Sequence, residues 1–272
     1  MISQITPDVA VGFGGYPTVP PLLAAVHKGV PSVLHEQNAI LGRANRFLAG
    51  KVNVLATGFE MRAGTRAHVV TGNPLREIAH QAAKTPYDAP KDDGVLKLLI
   101  FGGSQGAQFF SRATSEALAL LDEKEHSRIH LTMQTREEEL ERARLALNEL
   151  GMSADLSPFF KDMPQRIAQS HLVMCRSGAS SVSELALIGR PSILVPLPGS
   201  LDDDQGANAA HLEAEGGALL IRQKDLSAQR LAELIRDALQ KPEALAIQAD
   251  NAKKAGVPDA AVRLADLVEA QI

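Results

Sequence analysis

The residues of this sequence that could do chemistry stand in short runs of glycine and polar residues, each directly after an apolar segment. In residues 102–107, Gly-Gly-Ser-Gln-Gly-Ala follows the apolar run that ends at Phe101. Glycines let a backbone approach a ligand, and a helix start offers unpaired N–H groups and the positive end of a dipole. This combination predicts a diphosphate-binding loop, to which Ser104 and Gln105 can add side-chain hydrogen bonds. A tight turn without a ligand is the alternative.

The glycine spacing argues against the two commonest nucleotide motifs. Residues 102–106 follow the pattern G-G-x-x-G, which is not the dinucleotide fingerprint G-x-G-x-x-G, and the lysine of a P-loop is missing. A second run, Gly-Phe-Gly-Gly-Tyr at residues 12–16, carries aromatic residues in a chain with only 4% aromatic residues. This second run is equally consistent with a ligand loop and with a plain turn.

The polar residues His-Glu-Gln-Asn at positions 35–38 directly follow a predicted strand. Open α/β sheets bind ligands at the carboxyl ends of their parallel strands, so this run is predicted to face a ligand. A solvated turn that caps the next helix is the alternative. The run is not H-E-x-x-H, which argues against a zinc site.

Residues 175–184 again lead from a strand end into a helix. The small residues 178–181 allow a ligand to come close, and Glu184 falls in the first turns of the helix. A carboxylate in this position can accept the hydroxyls of a ribose, as acidic groups do in other nucleotide sites. The alternative is that Glu184 complements the helix dipole. Cys175 is interpreted as a buried strand-end residue without a redox role.

An acidic trio, Asp202, Asp203 and Asp204, precedes another predicted helix. It could hold a metal ion, or it could complement the dipole of that helix, and we favour the second interpretation. No metal site is therefore predicted. Gln205 and Asn208 are three residues apart on one helical face and could reach a sugar.

Alternating strands and helices must position these runs, and that alternation predicts parallel sheets with helices on both faces. The strands are predicted at residues 9–11, 32–34, 52–56, 68–70, 95–101, 129–133, 172–175, 192–195 and 218–221. The helices are predicted at residues 19–28, 41–49, 107–121, 136–150, 182–188, 205–215 and 227–240, with two more helical segments at the end. Residues 81–94 are predicted to form a polar surface loop.

Two domains follow from this pattern. Residues 73–257 form a complete doubly wound α/β domain, and residues 1–72 form a partial one. A half of normal size would need roughly 80–100 more residues, so we expect the N-terminal domain to be incomplete. The last helix, at residues 258–272, is expected to pack back on it.

The composition excludes several classes of protein. A net charge of -4 lacks the basic excess of a nucleic-acid binder, so no nucleic-acid partner is predicted. One cysteine, Cys175, cannot form an internal disulfide and fits a reducing cytoplasm. No apolar run approaches the ~20 residues that cross a bilayer, and residues 1–4 do not resemble a signal peptide.

In combination, these runs resemble one family. Residues 12–16, 35–38, 71–76, 102–107, 158–163, 175–184 and 205–208 are similar in type and order to the MurG family, the undecaprenyl-diphospho-muramoylpentapeptide β-N-acetylglucosaminyltransferases of bacterial cell-wall synthesis. The resemblance implies a GT-B fold of two Rossmann-like domains. It implies inverting transfer of N-acetylglucosamine from UDP-N-acetylglucosamine to the C4 hydroxyl of lipid I, which gives lipid II and UDP. It places the enzyme peripherally on the cytoplasmic face of the inner membrane, without a cofactor.

The resemblance also implies roles for individual residues. Phe160, through its backbone, and Met163 would border the uracil, Glu184 would hold the ribose, and Gln205, with Asn208 behind it, would recognise the sugar. The remaining donor-side residues would lie beside the diphosphate or line the cleft: Asn38, Arg76, Ser104, Gln105, Ala179, Ser180, Ser181, Val182 and Ser183. The acceptor side would comprise Gly14, Gly15, Tyr16, His35, Glu36 and Gln37.

The catalytic base stays unassigned. The family carries its proposed base, a histidine, in a first glycine-rich loop at the extreme N-terminus, and no such loop occurs before Pro7. We therefore expect this chain to lack the front of the acceptor domain. Two other hypotheses stay open: a non-catalytic fragment that binds UDP-sugars, and an enzyme similar to UDP-N-acetylglucosamine 2-epimerase.

Overall fold

The computed structural model describes residues 2–61, 64–91 and 93–272, without the side chains of residues 2, 3, 104–107 and 201. Its first part is built on a parallel sheet with the strand order β1-β2-β3-β4. The strands are β1 (Ala10–Gly12), β2 (Ser32–Glu36), β3 (Val54–Thr57) and β4 (Val69–Val70). The helices of this part are α1 (Ile2–Ile5), α2 (Val19–His27) and α3 (Arg43–Ala49).

Strand β2 is the centre of this first sheet. All five of its residues are buried, as expected for a parallel strand that is covered on both faces. On one face Leu34 packs with Leu22 and Leu48 from α2 and α3. On the other face Val33 packs with Leu264 near the end of the chain. The polar end of β2 is therefore held in place by apolar packing on both sides.

The second part contains a larger parallel sheet with the order β10-β9-β8-β5-β6-β7. The strands are β5 (Leu96–Phe101), β6 (Ile129–Gln134), β7 (Ala154–Ser157), β8 (Leu172–Cys175), β9 (Ser192–Leu194) and β10 (Ala218–Leu220). The helices are α4 (Glu77–Ala82), α5 (Gly103–Leu118), α6 (Glu123–His126), α7 (Leu140–Glu149), α8 (Met163–Gln169), α9 (Ala179–Ile188), α10 (Asp204–Ala214), α11 (Ala228–Gln240), α12 (Pro242–Ala255) and α13 (Ala260–Glu269). The predicted α/β class with two parallel sheets is confirmed.

The second sheet reverses its strand order between β5 and β8. From β5 the chain moves outward to β6 and β7, then returns to the other side of β5 for β8, β9 and β10. Phe101 at the end of β5 lies in register with Cys175 at the end of β8. At such a switch point the two following loops part, and the crevice between them is where doubly wound sheets bind ligands.

The chain crosses between the two parts twice. The first crossing follows β4, and Gly72 within it has φ +81 and lies so close to Val257 that a Cβ would approach that side chain to 2.8 Å. The second crossing leads from α12 through Val257 to α13, whose Leu264, Leu267 and Val268 pack against the first sheet. The last helix thus joins the first sheet to the end of the second part.

Several predicted elements differ from the structure. Helix α5 begins at Gly103 and not at Ala107, so most of the predicted glycine loop belongs to the helix. Strand β7 and helices α4 and α8 were not predicted. Residues 81–94 are not a simple surface loop, because the buried Arg190 donates hydrogen bonds to the carbonyl oxygens of Thr85 and Pro86.

Candidate substrate-binding cleft

Two loops flank the crevice at the switch point of the second sheet. The loop after β5 enters α5 through Gly102 and Gly103, and the loop after β8 enters α9 through Gly178. Among the described residues no side chain caps α9, so the N–H groups of its first turn stay available to an anion. The two loops therefore lie at one edge of the sheet, with the start of α9 at the crevice.

A residue that the sequence did not single out occupies the start of α5. Gln134, at the end of β6, accepts hydrogen bonds through Oε1 from the N–H groups of Gly102 and Gly103, at 3.3 and 3.0 Å. Its Nε2 donates to the carbonyl oxygen of Pro158 at 3.0 Å. Gln134 thus ties the glycine run to the segment that contains Phe160. The side chains of Ser104 and Gln105 lie outside the described part of the structure, so their contacts with a ligand stay predictions.

Glu184 lies in α9 beside the crevice, and among the described residues its carboxylate has one hydrogen-bond partner. Its carboxylate accepts a hydrogen bond from the Arg76 guanidinium at 3.3 Å, and only 12% of its side chain is exposed. Burial raises the pKa of Glu184 above the usual carboxyl value, and the charge of Arg76 opposes that shift. A half-buried carboxylate whose partner is a largely exposed arginine retains acceptor capacity for a ligand.

The neighbouring residues of α9 divide between ligand-facing and structural positions. Ser180 is exposed, whereas the side chain of Val182 is buried in the core, so Val182 can meet a ligand only through its backbone. The Ser183 hydroxyl accepts a hydrogen bond from Asn73 Nδ2 at 2.9 Å. Ala179 is half-buried at the first helical position, and Ser181 is half-buried in the first turn.

The predicted uracil neighbours, Phe160 and Met163, lie where the chain enters α8. The Phe160 ring is buried and covered by the Arg166 guanidinium, whose Cζ lies 4.1 Å from the ring centroid. A contact of Phe160 with a base would therefore involve its backbone. Met163 is the first residue of α8 and packs against the core cluster that contains Val182.

Glu36, on the acceptor side, is satisfied by its own loop. Its Oε1 accepts hydrogen bonds from the N–H and the side-chain amide of Asn38. Its Oε2 accepts from Gly42 N–H at 2.9 Å and from Asn45 Nδ2 at 2.7 Å. The residue is 2% exposed. Glu36 thus fixes the shape of residues 36–45, which form one wall of the cleft.

His35 and Gln37 also bond to the protein itself. His35 Nε2 lies 3.0 Å from the carbonyl oxygen of Gly72, which makes this nitrogen the hydrogen-bond donor in the neutral ring. Burial lowers the pKa of His35, against the opposing effects of the Gly72 carbonyl and the Glu36 charge. Gln37 Nε2 donates to the carbonyl oxygen of Phe13 at 2.9 Å. These two side chains connect β2 to the first crossing and to the loop after β1.

Asparagine side chains join the two parts across the cleft. Asn208 of α10 accepts from Ala39 N–H at 2.7 Å, and its Nδ2 donates to Asn38 Oδ1 at 3.0 Å and to Ser177 O at 3.1 Å. Asn73 donates to the carbonyl oxygen of Gln37 at 2.9 Å. The structure therefore brings together residues that are up to 170 positions apart in sequence.

A cavity of about 200 Å³ lies between these walls. Gly14, Gly15 and Tyr16 line it from the loop after β1, Glu36 and its loop from β2, and Asp202 from the second part. Gly14 has φ +83, and a Cβ there would come within 2.9 Å of Asn45. Only glycine therefore fits this close approach between the two loops.

The acidic trio does not act as one group. Asp202 Oδ2 lies 3.7 Å from Arg43 Nε and 3.9 Å from Arg46 Nη2, whereas Asp203 bonds Arg222 through both of its oxygens. Asp204 Oδ1 accepts from the N–H of Gln205. Within the residues that the structure describes, no group of three or more His, Cys, Asp or Glu residues could hold a metal ion.

The other residues of interest have structural partners. Gln205 Oε1 accepts from Leu197 N–H at 3.0 Å, which holds the loop after β9 beside α10. Arg176 donates to the carbonyl oxygens of Val195 and Pro196 and to the side-chain oxygen of Gln223. Cys175 is fully buried, and burial raises the pKa of its thiol.

Comparison with known proteins identifies the family. Residues 97–264 match the glycosyltransferase family 28 C-terminal domain, and residues 1–57 match the N-terminal domain of the same family. Proteins of Sinorhizobium fredii and Brucella abortus (strain S19) are 54% and 53% identical to this chain, and both matches cover 99% of it. The matches cover 73% and 72% of those relatives, which are named UDP-N-acetylglucosamine–N-acetylmuramyl-(pentapeptide) pyrophosphoryl-undecaprenol N-acetylglucosamine transferase.

Solved structures agree with this result. The crystal structure of Acinetobacter baumannii MurG superposes with a TM-score of 0.83 at 29% identity, over 99% of this chain and 76% of that one. The glycotransferase of kitacinnamycin superposes with a TM-score of 0.69 at 17% identity, which supports the fold alone. From the family match, the identity to the relatives and the superposition, this chain belongs to the MurG family within glycosyltransferase family 28.

Proposed function

We propose that this chain transfers N-acetylglucosamine from UDP-N-acetylglucosamine to the C4 hydroxyl of the muramoyl sugar of lipid I, giving lipid II and UDP. The observation that carries the proposal is the switch-point crevice, where the uncapped start of α9 and the half-buried Glu184 lie together. Relatives at 54% and 53% identity are named as transferases with this donor and acceptor. The family membership and the crevice support the same reaction.

The donor lies in that crevice. Glu184 accepts hydrogen bonds from the ribose hydroxyls, and the N–H groups of Ala179, Ser180 and Ser181 bind the diphosphate together with Ser104 and Gln105. The backbone of Phe160 and the side chain of Met163 border the uracil. Gln205 contacts the N-acetylglucosamine, and Arg76 and Asn38 line the cleft around it. Asn208 acts indirectly, because its amide donates a hydrogen bond to Asn38 and holds that side chain in place.

The reaction is a single displacement at the anomeric carbon. The acceptor oxygen forms a bond to C1 while the bond from C1 to the diphosphate oxygen breaks, and UDP leaves with the electron pair. Negative charge grows on the diphosphate, where preorganised N–H groups stabilise it. The acceptor hydroxyl loses its proton to a general base, which stays unassigned.

The acceptor lies against the first part of the chain. Gly14, Gly15 and Tyr16 contact it directly, whereas His35, Glu36 and Gln37 act by holding the loops that surround it. This division assigns residues 1–72 and the last helix to the acceptor side and residues 73–257 to the donor side.

The acceptor side also meets the cytoplasmic face of the inner membrane in this proposal. On α3 the exposed Phe47 lies beside Lys51, whose Nζ is 4.8 Å from the ring centroid. An exposed aromatic residue next to basic groups suits the boundary of an anionic bilayer. In the described part of the chain, no helix has the length and apolarity that a bilayer crossing requires.

Membrane contact is tested by sedimentation with phosphatidylglycerol vesicles. We expect the double variant Phe47→Ser, Lys51→Ala to bind vesicles less than the wild type, because it removes both an apolar and a cationic contact. The variant Leu145→Ser, which also removes an exposed apolar side chain, is the control on α7. Equal loss in both variants would contradict a surface centred on α3.

The transfer proposal is tested with radiolabelled UDP-N-acetylglucosamine and purified lipid I, beside calorimetry of UDP binding. We expect labelled lipid II and measurable UDP binding. UDP binding without transfer would contradict the proposed activity and would indicate a protein that only binds UDP-sugars. No UDP binding by a folded sample would sink the donor site as well.

A further inference from the structure

An ion pair between the two parts of the chain lies at the cavity that Gly14, Gly15 and Tyr16 line. Asp202, from the second part of the chain, faces two arginines of α3, with its Oδ2 3.7 Å from Arg43 Nε and 3.9 Å from Arg46 Nη2. Both arginine side chains are about 60% exposed, and that of Asp202 is 28% exposed. These separations are longer than a direct hydrogen bond, so each pair contributes little stability and can be exchanged.

The aspartate is held there by an unusual backbone. Asp202 and the following Asp203 both have positive φ, 57° and 56°, a conformation that residues other than glycine rarely adopt. Asp203 is turned to the opposite side, where it bonds Arg222. The local conformation therefore directs one carboxylate toward α3 and the next away from it.

The cavity is lined by one of the two arginines, Arg43, and by three carboxylates, those of Glu36, Asp202 and Asp204. Arg43 and Asp202 line it, and Glu36 at its base is already bonded by Gly42, Asn45 and Asn38. Glu36 is therefore not the partner of the two guanidinium groups. Their nearest anion is the carboxylate that the second part of the chain supplies.

We propose that Arg43 and Arg46 bind the diphosphate of the lipid-linked acceptor, and that Asp202 occupies this subsite until the acceptor displaces it. The inference rests on the proposed function, whose acceptor is a pyrophosphoryl lipid according to the names of the relatives. The planar guanidinium group matches phosphate oxygens in a bidentate manner, and a diphosphate carries more negative charge than one carboxylate. The exchange therefore favours the acceptor.

The position of the two arginines fits the path of a lipid. Arg46 directly precedes Phe47 on α3, and the exposed Phe47 ring lies beside Lys51, which follows the end of that helix. A diphosphate held by Arg43 and Arg46 places the muramoyl sugar toward the cavity and the prenyl chain toward the surface around Phe47. In the proposed function the donor diphosphate lies elsewhere, at the start of α9 in the second part of the chain.

The decisive variant is Asp202→Asn, because asparagine tolerates the left-handed backbone and only the charge is lost. Asp203→Asn is the matched control, since it removes the same charge from the same conformation but faces Arg222. The third variant is Arg43→Ala, Arg46→Ala, with the exposed Arg230→Ala on α11 as its control. Each protein is titrated by calorimetry with a water-soluble acceptor that carries a short prenyl diphosphate, with UDP present.

Opposite effects are expected. Asp202→Asn should bind the acceptor about 3-fold more tightly, and the double arginine variant about 10-fold more weakly, as befits exposed charge pairs. Both controls should match the wild type. Weaker acceptor binding by Asp202→Asn would overturn the proposal. It would mean that Asp202 stabilises the binding conformation of the cleft and does not compete with the acceptor for the two arginines. Affinity equal to that of the Asp203→Asn control would overturn it too.

Two further arms identify the source of the anion. Inorganic pyrophosphate is titrated into the UDP-saturated protein, and phosphatidylglycerol vesicles are used in sedimentation. Pyrophosphate binding that rises in Asp202→Asn and falls in the arginine variant supports a diphosphate subsite. Loss of vesicle binding alone, with unchanged acceptor affinity, overturns it in favour of a lipid-headgroup contact. UDP titrations without acceptor separate this result from failure of the donor site.

Discussion

The carboxyl edges of the two sheets carry two glutamates, the buried Glu36 and the half-buried Glu184, that differ in their hydrogen-bond partners. Glu36 ends β2 in the first sheet, and both of its carboxylate oxygens accept hydrogen bonds from its own loop. Glu184 follows β8 in the second sheet, and in the described part of the chain its partner is the largely exposed Arg76. The first carboxylate stabilises a wall of the cleft, whereas the second keeps acceptor capacity for a ligand.

The same contrast extends to the surroundings of each glutamate. Around Glu36, the amides of Asn38, Gln37 and Asn208 are hydrogen-bonded to the protein. Around Glu184, the start of α9 is uncapped by any described side chain. Position at a strand end therefore identifies a cleft residue, but only its hydrogen-bond partners separate an architectural role from a binding role.

The largest expected effect is on Glu36. The variant Glu36→Gln places an NH₂ group or a weaker acceptor against several donors, so we expect the free energy of unfolding to fall by about 3 kcal/mol. Urea denaturation followed by circular dichroism measures it. Glu116→Gln, at an exposed ion pair with Arg112, is the control and should change stability by less than about 0.5 kcal/mol. An equally small change at Glu36 would contradict its architectural role.

A smaller effect is expected at Asn208. The variant Asn208→Ala leaves the N–H of Ala39 without its acceptor in a buried environment, which costs about 1–3 kcal/mol of stability. The loop around Asn38 should also loosen, so the acceptor KM should rise more than the donor KM. Asn148→Ala, on the exposed face of α7, is the control. A rise in the donor KM alone would favour direct contact of Asn208 with the donor sugar.

The smallest effect is a dependence of UDP affinity on pH. Burial raises the pKa of Glu184 above its usual value of 4.5, so the carboxylate gains a proton at a higher pH than an exposed one. UDP affinity should therefore fall on acidification through that raised pKa, since a protonated carboxyl loses acceptor capacity. Calorimetry from neutral to mildly acidic pH measures the change. The control is Glu184→Gln. Its UDP affinity still depends on pH through the UDP phosphate, but it should lack the additional fall in affinity that protonation of Glu184 causes.

Much of the architecture could be predicted from local sequence. The apolar runs before residues 35, 102 and 176 gave strands β2, β5 and β8, because buried parallel strands are nearly continuous in apolar residues. Strand β7 was missed because its sequence, Ala-Asp-Leu-Ser, is short and half polar at the sheet edge. The start of α5 was placed too late because glycine normally disfavours helix.

The site was predictable only in part. The runs that contain Gly102, Gly14 and Glu184 could be recognised because glycines and carboxylates follow strand ends. The roles of Gln134, Asn73 and Asn208 could not, because their partners are between 24 and 170 residues away and depend on how the two sheets meet. Long-range hydrogen bonds of this kind leave no periodic or local signal in one sequence.

One paired measurement tests the contrast most directly: UDP affinity and unfolding free energy of Glu36→Gln and Glu184→Gln, measured side by side. We expect Glu184→Gln to weaken UDP binding by about 1.5–3 kcal/mol, the contribution of a hydrogen bond to a charged group, while stability is kept. Glu36→Gln should lose stability but, under conditions where it is folded, bind UDP as the wild type does. Unchanged UDP affinity in Glu184→Gln would contradict the donor site, and with it the central claim.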